Sequence, residues 1–341
     1  MFALLVQCAH RVAPHTSLRR NSLMPDESSF TDLVVALADR VADDIVRFEL
    51  RAADGGSLPG FTAGSHVTVK TPAGALRKYS MCNAPQENDR YVIAVKRDAQ
   101  GRGGSLSMCD SLHVGARLPV GSPVNEFALS ERANRLLFIA GGIGITPIVS
   151  MMRHLAATGR EHFHLYYCTR SETSTAFAGE LTAEFPGKVT IHHDRGDPAK
   201  AFDFWPVLEK PTSAHIYCCG PRALMDGVRD MTGHWPFGAI HFESFGIDAA
   251  TRRDDKAFDV RLAQSGRIVH VAAQCSILEA LRAEGVSVRS SCEAGSCGSC
   301  RTGLVAGLAE HRDFVLGEDE HSTQIMVCVS RARSPELVLD L

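Results

Sequence analysis

The chain has 341 residues, 45% of them hydrophobic and 22% charged, with a formal net charge of -3. That is too long for one ordinary core and calls for two or three domains. Its near-neutral balance gives no electrostatic reason to expect nucleic acid as a partner, and no run approaches the ~20 apolar residues that span a bilayer, so a soluble chain without a membrane partner is expected.

Residues 1–23 contain Arg11, Arg19 and Arg20, no acidic residue, and only the short apolar run 2–6. The run is too short for a secretory signal. The segment reads either as a mitochondrial transit peptide or as a mis-called start ahead of Met24; the second is preferred, and residues 1–27 are treated as a disordered extension. The eleven cysteines are unevenly spread along a long chain with no secretory signal, so reduced thiols and a cytoplasmic location are expected. Cys82, Cys109, Cys168, Cys218, Cys219 and Cys275 lie in apolar or amphipathic runs, where a free thiol usually behaves as a small buried hydrophobe.

Residues 28–130 form the first predicted domain. Short alternating segments at 33–37, 45–50, 66–70 and 91–95, broken by Gly, Pro, Asn and Asp turns, predict an antiparallel β-barrel. Arg77, Lys78, Tyr79 and Ser80 offer cations, an aromatic ring and a hydroxyl on one strand. Gly103, Gly104 and Ser105 then open a helix predicted over 106–112, and a helix N-terminus behind two glycines is a natural phosphate seat. R-x-Y-S alone reads equally well as an amphipathic strand with an exposed arginine. Its place ahead of a phosphate seat, a nucleotide-type turn and a cysteine loop is what points to a flavin.

Residues 131–247 form the second. The apolar run 135–140 predicts a buried parallel strand, which leads through Gly141-Gly142-Ile143-Gly144-Ile145-Thr146-Pro147 into a helix over 148–157. Gly142, Gly144 and Thr146 are candidate pyrophosphate contacts, although the turn is not G-x-G-x-x-G. Strands at 163–168, 189–192 and 215–219 alternate with helices at 176–184 and 223–231, the rhythm of a parallel α/β sheet. Cys219, Gly220 and Pro221 fall at its carboxyl edge, where ligands of open sheets bind. A place beside the nicotinamide is expected for Cys219, against the alternative of a packed core thiol. Arg170 and Ser171 leave a 2′-phosphate, and hence NADPH, physically open.

A charged, non-periodic linker is placed at 248–256 and a third domain at 257–341. Cys292, Cys297 and Cys300 stand in C-x4-C-x2-C spacing, with Cys328 following in M-V-C-V. This is the plant-type [2Fe–2S] spacing, and Gly295, Gly298, Ser296 and Ser299 suit a tight loop whose amides face cluster sulfurs. Zinc is the alternative; it normally takes paired C-x2-C units, and here there is one. Strands at 258–262 and 268–271, with a helix over 276–283 ending near Gly285, predict a β-grasp ferredoxin domain.

The motifs R-K-Y-S, G-R-G-G-S, G-G-I-G-I-T-P, Y-C-C-G-P, H-F-E-S-F-G and C-E-A-G-S-C-G-S-C, with V-L-D-L at the end, resemble the phthalate dioxygenase reductase family, reductases of class IA Rieske oxygenase systems. Reductases of vanillate O-demethylase and carnitine monooxygenase are looser relatives that share the domain order. The resemblance covers nearly everything from about Thr31 to Leu341 and implies FMN rather than FAD, NADH as donor, and a terminal Rieske oxygenase as protein acceptor. A monomer is expected. The implied flavin contacts are Arg77, Lys78, Tyr79 and Ser80, then Ala94, Val95 and Lys96, then Gly103, Gly104 and Ser105, with Phe245 lying over the flavin. The position of Lys78 departs from the hydroxyl residue that the resemblance implies there. Arg77 and Lys96 are expected to balance the phosphate, Ser80 to stand near the isoalloxazine N5 edge, and Ser80, Phe245 and Cys219 to form the catalytic set. Glu293 and Arg301 could tune the cluster or serve docking, or simply be solvated. Two functions of other classes are weighed, a zinc-holding scaffold and a self-contained NADH oxidase that delivers electrons to oxygen.

Overall fold

A computed structural model describes residues 30–101, 103–131, 133–236, 238–245 and 254–341. The extension at 1–27 and most of the expected linker at 248–256 lie outside the described residues.

The first sheet comprises β1 (Phe30–Ala42), β2 (Ile45–Ala52), β3 (Ser65–Lys70), β4 (Leu76–Ser80), β5 (Tyr91–Lys96), β6 (Arg117–Gly121) and β7 (Val124–Asn125), with helix α1 (Gly104–Ser111) after β5. Pairing is antiparallel in the order β4-β3-β6-β1-β2-β5, with β7 on β3, and a bridge between Met81 and Ile93 joins the two ends. Alternate residues such as Val35, Phe48, Val67, Val69, Ile93 and Val95 are fully buried, as a closed barrel requires. β1 outruns the apolar stretch that predicted it because register shifts at Val35/Leu37 and Arg40/Ala42 let it bend and keep pairing.

The second sheet is parallel, in the order β10-β9-β8-β11-β12. Its elements are β8 (Arg135–Gly141), α2 (Ile145–Ala157), β9 (Phe163–Thr169), α3 (Ala178–Glu184), β10 (Val189–His193), α4 (Trp205–Leu208), β11 (Ala214–Cys219), α5 (Arg222–Met231) and β12 (Ile240–Glu243). α2 starts three residues earlier than predicted because Pro147 falls in its first turn, where a missing N–H costs no helical hydrogen bond. α3 starts two residues later, behind Phe177 at a left-handed φ of 61°. One core runs through barrel and sheet: Ile45, Ala63, Val92 and Phe127 pack with Phe138, Met151 and Tyr217. Ser150 Oγ donates to the buried Asn83 carbonyl (2.8 Å) and Arg153 Nη1 to that of Cys82 (3.0 Å), both across this junction.

The third region holds β13 (Phe258–Leu262), β14 (Ile268–Val271), α6 (Ile277–Ala283), β15 (Arg301–Ala306), β16 (Ala309–Glu310), β17 (Gln324–Met326), β18 (Arg331–Ala332) and β19 (Glu336–Leu339). Its sheet runs β14-β13-β19-β15-β17, with β13 and β19 parallel. A reciprocal Ser276/Glu279 cap starts α6, and Ile277, Leu278 and Leu281 seat the helix on the sheet. At its entrance the Arg312 guanidinium grips Asp255 through both oxygens (2.5 and 3.0 Å). Arg331, lying over the Phe258 ring, donates to the carbonyls of Lys256 (2.9 Å), Ala272 (3.2 Å) and Cys275.

Candidate functional site

Arg77 and the start of α1 meet. Gly103 takes φ 82°, the first-turn amides have no side-chain cap, and a Cβ at Gly104 would lie 2.8 Å from Arg77 Nε. A guanidinium resting over free amide donors is the donor set that suits a phosphate dianion. Ser105 stands in the same turn and accepts from Asp98 N at 3.2 Å. Tyr79 and Ser80 follow Arg77 on β4, with Ser80 buried and burial pushing the Tyr79 phenol up to about 12. On β5, Ala94 and Val95 are buried while Lys96 is exposed. Lys78 turns elsewhere: its Nζ donates to Glu126 Oε2 (3.0 Å) and to Ser291 Oγ (2.9 Å), beside the first loop cysteine.

A cavity of about 550 Å³ opens at the carboxyl ends of β8, β9 and β10, lined in part by Gly142, Pro221, Arg170, Asp194 and, from the barrel, Lys96. That is where an open parallel sheet binds a nucleotide. The other expected contacts build its wall. A Cβ on Gly144 would strike the Cys219 carbonyl, one on Gly141 would come 2.5 Å from Pro221 Cδ, and one on Gly220 2.9 Å from Gly141 Cα. These glycines let two strand-to-helix turns interlock. The buried Thr146 hydroxyl donates to the Ile143 carbonyl (3.0 Å) and ties down the same turn. Cys219 is fully buried behind it, its thiol held well above the usual range by burial and by neighbouring Glu243. A larger groove of about 660 Å³ between barrel and sheet is crossed by the ion pairs Arg47–Glu180, Arg153–Glu180 and Arg153–Glu184, so its charges already satisfy one another.

Glu243, which sequence reasoning passed over, ends β12 opposite Cys219. Its Oε2 is buried without a hydrogen-bond partner. Burial first, then Glu126 and Cys292, push its carboxyl up to about 8 against the pull of Lys78. It can therefore hold a proton at neutral pH where barrel, nucleotide domain and third region meet. Two residues on, Phe245 is 48% exposed, an aromatic face open to a flat ligand.

The four cysteines fall into two pairs, Cys292 with Cys297 and Cys300 with Cys328, in each of which the neighbouring thiol holds the first sulfur below its usual range and the second above it. Among the described residues no three His, Cys, Asp or Glu side chains gather as a single-ion site requires. Two pairs suit a two-iron cluster. Ala294 N points at Cys292 Sγ (3.4 Å), Cys292 N at Cys297 Sγ (3.4 Å) and the Gly295 amide at Cys328. Gly295 takes φ 75°, and a Cβ there would lie 2.7 Å from Val329 Cγ2, so the loop admits no side chain at this position. Glu293 is held by Arg282 (2.7 Å) and Ser290 (2.8 Å), and Arg301 by Glu320 (2.7 Å), surface pairs on the loop's edge.

A barrel with a phosphate seat, a parallel sheet with a nucleotide cavity and a loop of paired thiols define the class: a pyridine-nucleotide-dependent flavin iron–sulfur reductase. The family models for an oxidoreductase NAD-binding domain and a 2Fe-2S iron-sulfur cluster binding domain match residues 138–230 and 260–333. The phthalate 4,5-dioxygenase oxygenase reductase subunit of Pseudomonas putida is 57% identical over 92% of this chain and 98% of its own, and the phthalate dioxygenase reductase of Burkholderia cepacia is 56% identical over 93% and 99%. The chain belongs to the phthalate dioxygenase reductase family. A solved phthalate dioxygenase reductase, described as a modular structure for electron transfer from pyridine nucleotides to [2Fe–2S], shares 55% identity at a TM-score of 0.68, covering 92% of this chain and 99% of its own. The expected three-part fold, the NADH-dependent oxidoreductase class and the set of FMN, NADH and [2Fe–2S] agree with that family. No helix among the described residues is long and apolar enough to cross a membrane.

Proposed function

We propose that this chain is the reductase component of a two-component Rieske-type oxygenase, a cytoplasmic monomer that passes electrons from NADH through FMN to its own cluster and on to the oxygenase. The observation that carries this reading is the bond from Lys78 to Ser291, which sets the cluster loop against the strand bearing Tyr79 and Ser80. FMN, when bound, supplies the exchange from a hydride to single electrons, and the cluster takes them one at a time. The chain's own residues do the holding. Arg77 and the amides at Gly103, Gly104 and Ser105 would neutralise the phosphate, with Ala94, Val95 and Lys96 beside them. Phe245 would cover the flavin ring, the Ser80 hydroxyl would meet its N5 edge, and Gly142, Pro221 and the Cys219 turn would seat the nicotinamide. Cys292, Cys297, Cys300 and Cys328 would hold the iron.

Domain limits of 28–130, 131–247 and 257–341 go with this reading. A phthalate dioxygenase is the favoured partner, because identity falls from 57% with the phthalate reductase subunit to 40% and 35% with the vanillate and carnitine reductases. The test is an anaerobic NADH titration followed in the visible region, with the released flavin identified. Flavin and cluster bands bleaching together, with FMN released, support the reading. A colourless or zinc-containing protein, or rapid oxygen consumption without a one-electron acceptor, would sink it.

A further inference from the structure

Phe314 lies in the irregular segment between β16 and β17, between Cys300 and Cys328 in the chain. Its ring packs on Phe242 of the nucleotide domain with centroids 4.7 Å apart. The guanidinium groups of Arg222 and Arg229, both on α5, stand 4.4 and 5.2 Å from the ring centre. Arg222 Nη1 also donates to the Arg312 carbonyl at 2.6 Å, while Asp226 orients both arginines from one turn away. On its other side the Phe314 amide donates to the Gly295 carbonyl (2.9 Å), in the middle of the cluster loop, and the Gly295 amide faces Cys328. The ring is thus a plug from the third region in a cage on the second, one hydrogen bond removed from the loop that holds the iron.

We propose that Phe314 is a positioning residue for electron transfer within the molecule: caged by Arg222, Arg229 and Phe242, it holds the cluster loop against the flavin barrel. The proposal rests on the function just given. With FMN and the cluster bound, NADH would supply two electrons as a hydride and the cluster would accept them one at a time, the second after the first has left for the oxygenase, with protons passing to solvent. Tunnelling rates fall exponentially with separation, so the step depends on how much of the population is docked. Lys78 and Ser291 give a second contact, but a single exposed hydrogen bond is a weak clamp. An aromatic cage with two cations is stronger and specific in direction.

The test uses the intact holoprotein in an anaerobic stopped-flow experiment with NADH, reading flavin and cluster bleaching separately. In Phe314→Ala, and independently in the double variant Arg222→Gln/Arg229→Gln, flavin bleaching should keep its rate while cluster bleaching slows about tenfold or more, the docked population lost with one aromatic and two cation–π contacts. Phe314→Tyr should restore it. Three further measurements separate positioning from damage to the iron site: the cluster's midpoint potential and EPR spectrum should stay unchanged, and small-angle scattering should show a larger radius of gyration. Unchanged cluster bleaching would overturn the proposal, as would slowed bleaching in a protein of unchanged radius with a shifted potential. If the wild-type cluster does not bleach, the functional reading itself fails.

Discussion

Where the barrel meets the nucleotide domain, apolar side chains from both sides enter one core, and a fully buried hydroxyl, Ser150, bonds across it. Where the third region meets that pair, the contacts among the described residues include Lys78 with Ser291, two arginines with backbone carbonyls, and the Phe314 cage. The first junction is packed like a domain interior and the second like the face of a transient complex. The difference follows the chemistry. Hydride transfer needs two rings held in fixed contact, whereas a carrier of single electrons must serve two partners in turn.

The sharpest way to divide the two halves is Cys300→Ser. It should abolish the cluster's visible and EPR signals and reduce electron delivery to background, with NADH still bleaching the flavin. Next in size, Gly144→Ala drives a methyl into the Cys219 carbonyl and should lower stability by about 1–3 kcal/mol, seen in a denaturation midpoint, and weaken NADH binding. The comparison breaks most directly with one atom removed on each side. Ser150→Ala leaves the buried Asn83 carbonyl without its donor and should cost about 1–3 kcal/mol. Ser291→Ala, at an exposed contact, should stay within about 0.5 kcal/mol. Equal costs would mean that the second junction is packed as firmly as the first.

A further prediction concerns pH. His241, stacked on Tyr217 at 4.3 Å and bonded to His215, is pushed down to about 4, chiefly by burial and then by His215. The folded state therefore binds fewer protons than the unfolded state, and stability is lost as pH falls from about 6.5 towards 4. His241→Phe keeps a ring on Tyr217 without the titration, and its melting temperature should fall by a few degrees less across that interval.

The cysteine spacing, the βα rhythm and the alternating barrel strands were legible because each is a local pattern with a local physical cause. Boundaries that moved mostly did so by one to three residues, with a local cause visible at Pro147, Phe177 and the β1 bulges. Gly144 was read as room for a pyrophosphate and Gly220 as part of the ligand-binding edge of the sheet, whereas their nearest demand is the approach of two turns, a relation between distant segments that no motif states. Lys78 was grouped with the flavin contacts by the family resemblance; its reach to Ser291 spans 213 positions, which no local pattern states. Glu243 and Phe314 escaped for the same reason. One acquires its character from burial among three domains and the other from a cage on a remote helix, and neither sits in a periodic run.

The anchoring of Asp255 by Arg312 and Arg331 limits how far the third region can stray. From Phe245 to this pinned carboxylate there are ten peptide steps, a contour of at most about 35 Å. A domain released on so short a leash still meets its seat at an effective concentration in roughly the millimolar range. The seat can therefore be intrinsically weak and remain mostly filled, and an incoming oxygenase has to compete with a local concentration rather than with a tight affinity.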